Sequence, residues 1–67
     1  MEIRQRLGSN VKRLRLAMRL SQEEFAHRAS VHRTYVSDIE LGKRNPTIEI
    51  VEQLATALDV KPGRLLD

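Results

Sequence analysis

The chain has 67 residues, with 12 Lys and Arg against 9 Asp and Glu and a formal net charge of +3. It has no cysteine, which excludes disulfides, thiolate metal sites and thiol nucleophiles. The length suits one domain over 1–67 with a small aliphatic core, since Phe25 and Tyr35 are the only aromatic residues.

No apolar run approaches the ~20 residues that span a bilayer. The N-terminus is amphipathic and Arg-rich, without the apolar stretch of a secretory signal, so a cytoplasmic location is expected. The charge is unevenly spread. Residues 1–19 carry Arg4, Arg6, Lys12, Arg13, Arg15 and Arg19 against Glu2 alone. Residues 45–67 carry Lys61 and Arg64 against Glu49, Glu52, Asp59 and Asp67. A basic front suits a polyanion and a mildly acidic back suits something else.

The chain reads as five short helices and no strand. Ile3, Leu7, Val11, Leu14 and Met18 form one helical stripe, with Leu16 opposite it. Gly8 interrupts that stripe at an expected cost of about 1 kcal/mol relative to Ala. Ser21-Gln22-Glu23-Glu24 is a capping box that opens a second helix with Phe25, Ala26 and Ala29 inward. This helix ends near Ala29, and Ser30-Val31-His32 turns the chain. A third helix runs from about Arg33 to Leu41, with Val36 and Ile39 inward, and Gly42 stops it. Lys43-Arg44-Asn45-Pro46 is a basic loop. Thr47 caps a fourth helix with Ile48, Val51, Leu54, Ala55 and Leu58 as its apolar face. Pro62 suits the first position of a last short helix through Leu65 and Leu66. Each helix is too short to be stable alone, so all must pack together.

Two short helices joined by a tight turn, over about 21–41, form a helix-turn-helix whose second helix can enter a DNA major groove. Arg33, Thr34, Ser37, Asp38 and Leu41 share the outward face of that second helix. Arg33 can read guanine through O6 and N7, and Thr34 can bond a base edge or touch a thymine methyl. Asp38 can accept from a cytosine amino group, but it repels phosphates, which favours an orienting role.

The residues Leu20-Ser21-Gln22-Glu23-Glu24-Phe25-Ala26 and Val31 through Pro46, followed by Thr47 to Val60, resemble the Cro and phage-repressor type of helix-turn-helix regulator. The resemblance covers roughly residues 7–66. It implies an all-α, lambda-repressor-like fold and a DNA-binding transcriptional regulator, a repressor by preference, acting as a dimer on a palindromic operator. By position it implies base contacts from Arg33, Thr34 and Asp38, and Ser37 joins them as a neighbour on the outward face. Backbone contacts fall to Gln22, His32, Lys43 and Arg44, while Tyr35, on the flank of the third helix, suits either core-edge packing or a hydroxyl bond to phosphate. Arg15 and Glu40 match a pair that in this family forms an internal salt bridge, a structural rather than a DNA-contacting role. Ser30 stands where the family often has Gly, and His32 replaces the commoner Ser or Thr cap.

Catalysis is the weak competitor. His27 and His32 are five apart and divided by a turn, which is not a helical metal pair. No Gly-rich phosphate loop follows a strand. No metal, cofactor or small-molecule ligand is expected, and no membrane partner. The other readings are the DNA-binding antitoxin of a toxin–antitoxin pair and the controller protein of a restriction–modification system. A domain this small offers one recognition helix to one half-site, so a homodimer on double-stranded DNA is expected. Ile50, Ala57, Leu65 and Leu66 are the expected interface, with Leu16 as the rival surface.

Overall fold

The computed structural model describes residues 2–67. Their elements are α1 (Ile3–Ala17), α2 (Gln22–Ala29), α3 (Arg33–Glu40), α4 (Ile48–Ala57) and a terminal 3₁₀ helix (Pro62–Leu66). The described residues are all helical or irregular, as the sequence implies, but the fifth helix is 3₁₀ rather than α.

Each helix starts on local chemistry. The Glu2 side chain accepts from the Arg4 amide at the head of α1. Ser21 accepts from the Glu24 amide while Glu24 accepts from the Ser21 amide, completing the capping box of α2. His32 Nδ1 accepts from the Thr34 amide at the head of α3. Thr47 accepts from the Ile50 amide at the head of α4.

The α-helices end on one repeated device. Arg19, Ser30, Gly42 and Asp59 all have φ between 57° and 74°. At each, the left-handed residue bonds back to the carbonyl three residues earlier. The residue after it bonds back five, as in Lys43 to Asp38 and Val31 to Ala26. This pattern satisfies carbonyls that the helix leaves open and reverses the chain sharply.

The core is Leu7, Val11, Leu20, Phe25, Ala26, Ala29, Val36, Ile39, Leu54, Ala55, Leu58 and Leu65. Its largest member, Phe25, is wholly buried, which is worth about 1.5–3 kcal/mol relative to exposure. α3 packs against both α1 and α2, and the terminal 3₁₀ helix packs against α1 and α4. Asn10 anchors the 3₁₀ helix to α1: its Nδ2 donates to the carbonyls of Leu65 (2.9 Å) and Asp67 (3.0 Å), and its Oδ1 accepts from Arg13. Gln53 Nε2 donates to the Ala29 carbonyl and ties α4 to the end of α2.

Several apolar positions differ from the stripe reading. Ile3 and Met18, at the two ends of the first stripe, are exposed, and Met18 lies beyond the helix. Ile48 is 86% exposed, because it sits in the first turn of α4 where no neighbouring helix covers it. Leu65 is 0% exposed, so it is a core residue and not available to a dimer interface. Ile50 and Ala57 are half-buried at the margin of the core. Leu66 and Leu16 are exposed.

Candidate nucleic-acid interface

A buried ion pair ties α1 to α3 behind the α2–turn–α3 unit. Arg15 of α1 donates from Nε to Glu40 Oε2 (2.7 Å) and from Nη2 to Glu40 Oε1 (3.0 Å). The two side chains are only 8% and 4% exposed. A buried pair persists only when its remaining donors are met. Here Arg15 Nη1 donates to the Leu20 carbonyl (2.8 Å), and Gln22 Nε2 donates to Glu40 Oε1 (3.1 Å). The network therefore joins α1, the head of α2 and the end of α3.

This geometry gives Gln22 a structural tie as well as its position at the start of α2. The side chain is half-buried, and one of the two donors on its Nε2 is used by Glu40. The sequence offers no signal for this, since the two residues are 18 apart.

The opposite side of α3 faces outward. Arg33 and Thr34 are exposed in its first turn, and Ser37 and Asp38 are half-buried one turn on. Leu41 is exposed at the end of the same face. His32 is exposed and uses Nδ1 as an acceptor, which places the ring's remaining donor capacity on Nε2.

A third feature lies beside this face. Gly42, at φ 74°, reverses the chain so that Lys43 N–H meets the Asp38 carbonyl (2.9 Å). Arg44 is thereby brought back along α3. Its Nε lies 3.3 Å from Asp38 Oδ2, and its guanidinium carbon lies 4.7 Å from the centre of the Tyr35 ring. Lys43 is exposed and adds a second positive charge. Arg33, Thr34, Ser37, Asp38, Tyr35, Lys43, Arg44 and His32 thus belong to one continuous segment around α3, and Gln22 stands at the α2 end of the same unit.

The arrangement is suited to a polyanion. It presents a helix with polar side chains, basic residues at both of its ends, and a network behind that fixes its angle. Among the described residues, no group of three or more His, Asp or Glu is placed to hold a metal ion.

Known proteins are similar to this chain in sequence and in fold. The chain is 44% identical over 66 residues to control protein C.BamHI from Bacillus amyloliquefaciens, covering 97% of this chain and 82% of that one. The crystal structure of the restriction-modification controller protein C.AhdI from Aeromonas hydrophila matches with a TM-score of 0.89 and 39% identity. That match covers 92% of this chain and 94% of that one. The biofilm master regulator SinR, solved in complex with DNA, matches with a TM-score of 0.86 and 35% identity, over 91% of this chain and 98% of that one. The helix-turn-helix model HTH_3 matches residues 11–65, and the chain belongs to that family.

Proposed function

We propose that the protein is a sequence-specific DNA-binding transcriptional regulator that lays α3 in the major groove and binds a near-palindromic operator as a dimer. The observation that carries this reading is the exposed polar face of α3, backed by the buried Arg15–Glu40 pair and flanked by Lys43 and Arg44. Arg33 and Thr34 are its base readers, with Ser37 beside them. Gln22, His32, Tyr35, Lys43 and Arg44 contact the backbone. Similarity to a control protein and to a restriction-modification controller, over most of each, favours that regulatory setting over a phage-type repressor. No feature favours the antitoxin reading.

The dimer face follows from exposure. Ile3, Pro46, Ile48, Pro62 and Leu66 border an apolar groove of about 360 Å³ between the starts of α1 and α4 and the terminal 3₁₀ helix. A second copy seated there buries these residues and holds two α3 helices for half-sites about 34 Å apart. Ile48 replaces Ile50 as the diagnostic position, because Ile48→Glu alters a side chain that supports no core.

The test is selection of bound sequences from random DNA, followed by ultracentrifugation of wild type and Ile48→Glu. A two-fold symmetric consensus, and loss of dimer with helicity kept in the variant, support the reading. Absence of any enriched sequence refutes DNA readout. A variant that still dimerises places the interface elsewhere, with Leu16 next.

A further inference from the structure

We infer that Asp38 acts on DNA through Arg44, as a positioning residue, and does not read a base; this rests on the DNA-binding reading above. The geometry that carries it is the three-residue stack of Asp38, Arg44 and Tyr35. Asp38 Oδ2 engages Arg44 Nε at 3.3 Å, and the guanidinium lies over the Tyr35 ring at 4.7 Å. The loop that delivers Arg44 is itself fixed to α3 by the Lys43 N–H to Asp38 carbonyl bond and by the left-handed Gly42. Both ends of the Asp38 residue, its carbonyl and its carboxylate, therefore hold the 43–44 segment.

The consequence is directional. A guanidinium has five N–H donors in a rigid fork. With Nε held by Asp38 and one face covered by Tyr35, the N–H groups of Nη1 and Nη2 remain to meet a partner. That edge matches two oxygens of one phosphate, the bidentate pattern that arginine makes best. Restricting Arg44 beforehand reduces the ordering that binding would otherwise demand. The Asp38 carboxylate, half-buried and already matched by a cation, is poorly placed to turn to a cytosine amino group. Doing so would strand Arg44.

The same arrangement accounts for an acidic side chain on a DNA-facing helix. An unpaired carboxylate there would repel phosphates. Paired with Arg44, it contributes little net repulsion and sets the direction of a strong phosphate ligand. The pair is partly exposed, at 29% and 47%, so its effect belongs to binding rather than to fold stability.

The experiment is a double-mutant cycle on the operator selected by the wild-type protein. Affinity is measured for wild type, Asp38→Asn, Arg44→Ala and the double variant, with base preference determined for Asp38→Asn. With Arg44 absent, Asp38→Asn only relieves repulsion and tightens binding. With Arg44 present, that gain is lost or reversed, and the two responses differ by at least about twofold. Base preference stays that of the wild type. An Asp38→Asn effect of equal size in both backgrounds overturns the inference, and so does a changed preference at one base pair of each half-site. If wild type itself selects no sequence, the DNA-binding reading fails first, before any variant is compared. Thermal unfolding of Asp38→Asn near that of wild type confirms that the cycle reports on binding.

Discussion

Gly8 of α1 lies so close to α3 that a Cβ on it would collide with the Ile39 carbonyl oxygen and reach 2.9 Å from that of Glu40. Helix propensity alone makes Gly8→Ala favourable by about 1 kcal/mol. Close approach reverses the sign, because the opposing atoms are backbone and cannot swing aside. Gly8→Ala should destabilise by about 1–3 kcal/mol, the range for overpacking. Denaturant unfolding measures it, and a stabilised variant would mean that α1 and α3 can separate at little cost. The same closeness brings Arg15, two turns along α1, within reach of Glu40.

The buried ion pair predicts non-additivity. Removing one partner leaves an uncompensated buried charge or an unfilled donor, at about 3–5 kcal/mol. Glu40→Gln and Arg15→Met should each lower the unfolding midpoint sharply. The double variant should lose clearly less than the sum, and strict additivity would show that the two do not interact. Gln22→Ala should cost less than either, since it removes one hydrogen bond from a pair that otherwise survives.

Ser30 adopts φ 59° at the turn between α2 and α3. A left-handed conformation costs a residue with a Cβ roughly 1–2 kcal/mol, which glycine avoids. The greater freedom of glycine in the unfolded chain offsets part of that gain. Ser30→Gly should therefore stabilise by up to about 1 kcal/mol, raising the midpoint by about 4–8 °C in a domain this small. DNA affinity should hold, because the turn geometry is unchanged. A lower midpoint would mean that the Ser30 side chain makes a stabilising contact.

The starts of α2 and α4 and the ends of α2 and α3, near Ala29 and Leu41, were legible, but the conformation that makes most of the stops was not. Ser21 and Thr47 announce themselves because a cap bonds within three residues of itself, whereas His32 was identified as a cap only through the family resemblance. Of the four left-handed stops, Gly42 was readable from the sequence and Ser30 only through its family position. Arg19, Ser30 and Asp59 take that conformation because packing and back-bonded carbonyls impose it, against their own preference. Periodicity showed which side of each helix faces inward but not where cover ends, so Ile3 and Ile48 were over-read. In the last helix, too little chain remains to establish a period, and Leu65 could not be told from Leu66. At the candidate site, the α3 face was legible from its helical spacing. The Arg15–Glu40 pair, 25 residues apart, came only through the family resemblance, and the links from Gln22 to Glu40 and from Asp38 to Arg44 gave no local signal.

Acid should weaken the fold through its caps. The Glu24 carboxyl is held below its ordinary value of 4.5 by hydrogen bonding with the Ser21 backbone and side chain. Glu2 is lowered by its hydrogen bonds from Arg4. A group depressed in the folded state contributes stability above its unfolded pKa. That contribution is lost as pH falls through the folded value. Between about pH 7 and about pH 3, wild type should lose more stability than Glu24→Gln, which keeps a cap-like acceptor that does not titrate. Parallel loss in the two proteins would show that this capping box is not the source.

The sharpest separation lies between Arg33 and the loop cations. Arg33 is exposed in the first turn of α3, where a recognition helix points its side chains at base edges, and among the described residues it makes no ion pair. A bidentate contact to guanine O6 and N7 discriminates by about 1–3 kcal/mol. Arg33→Ala should therefore relax selection at one base pair of each half-site while the remaining positions keep their stringency. Lys43→Ala and Arg44→Ala should do the opposite. They should weaken binding to all sequences alike and reduce the slope of log K against log salt by about 0.9 for each phosphate no longer neutralised. Sequence selection and salt titration on the three variants measure both effects. If Arg33→Ala returns the wild-type consensus at full stringency and a shallower salt slope, Arg33 is a backbone contact. Base reading then falls to Thr34 and Ser37.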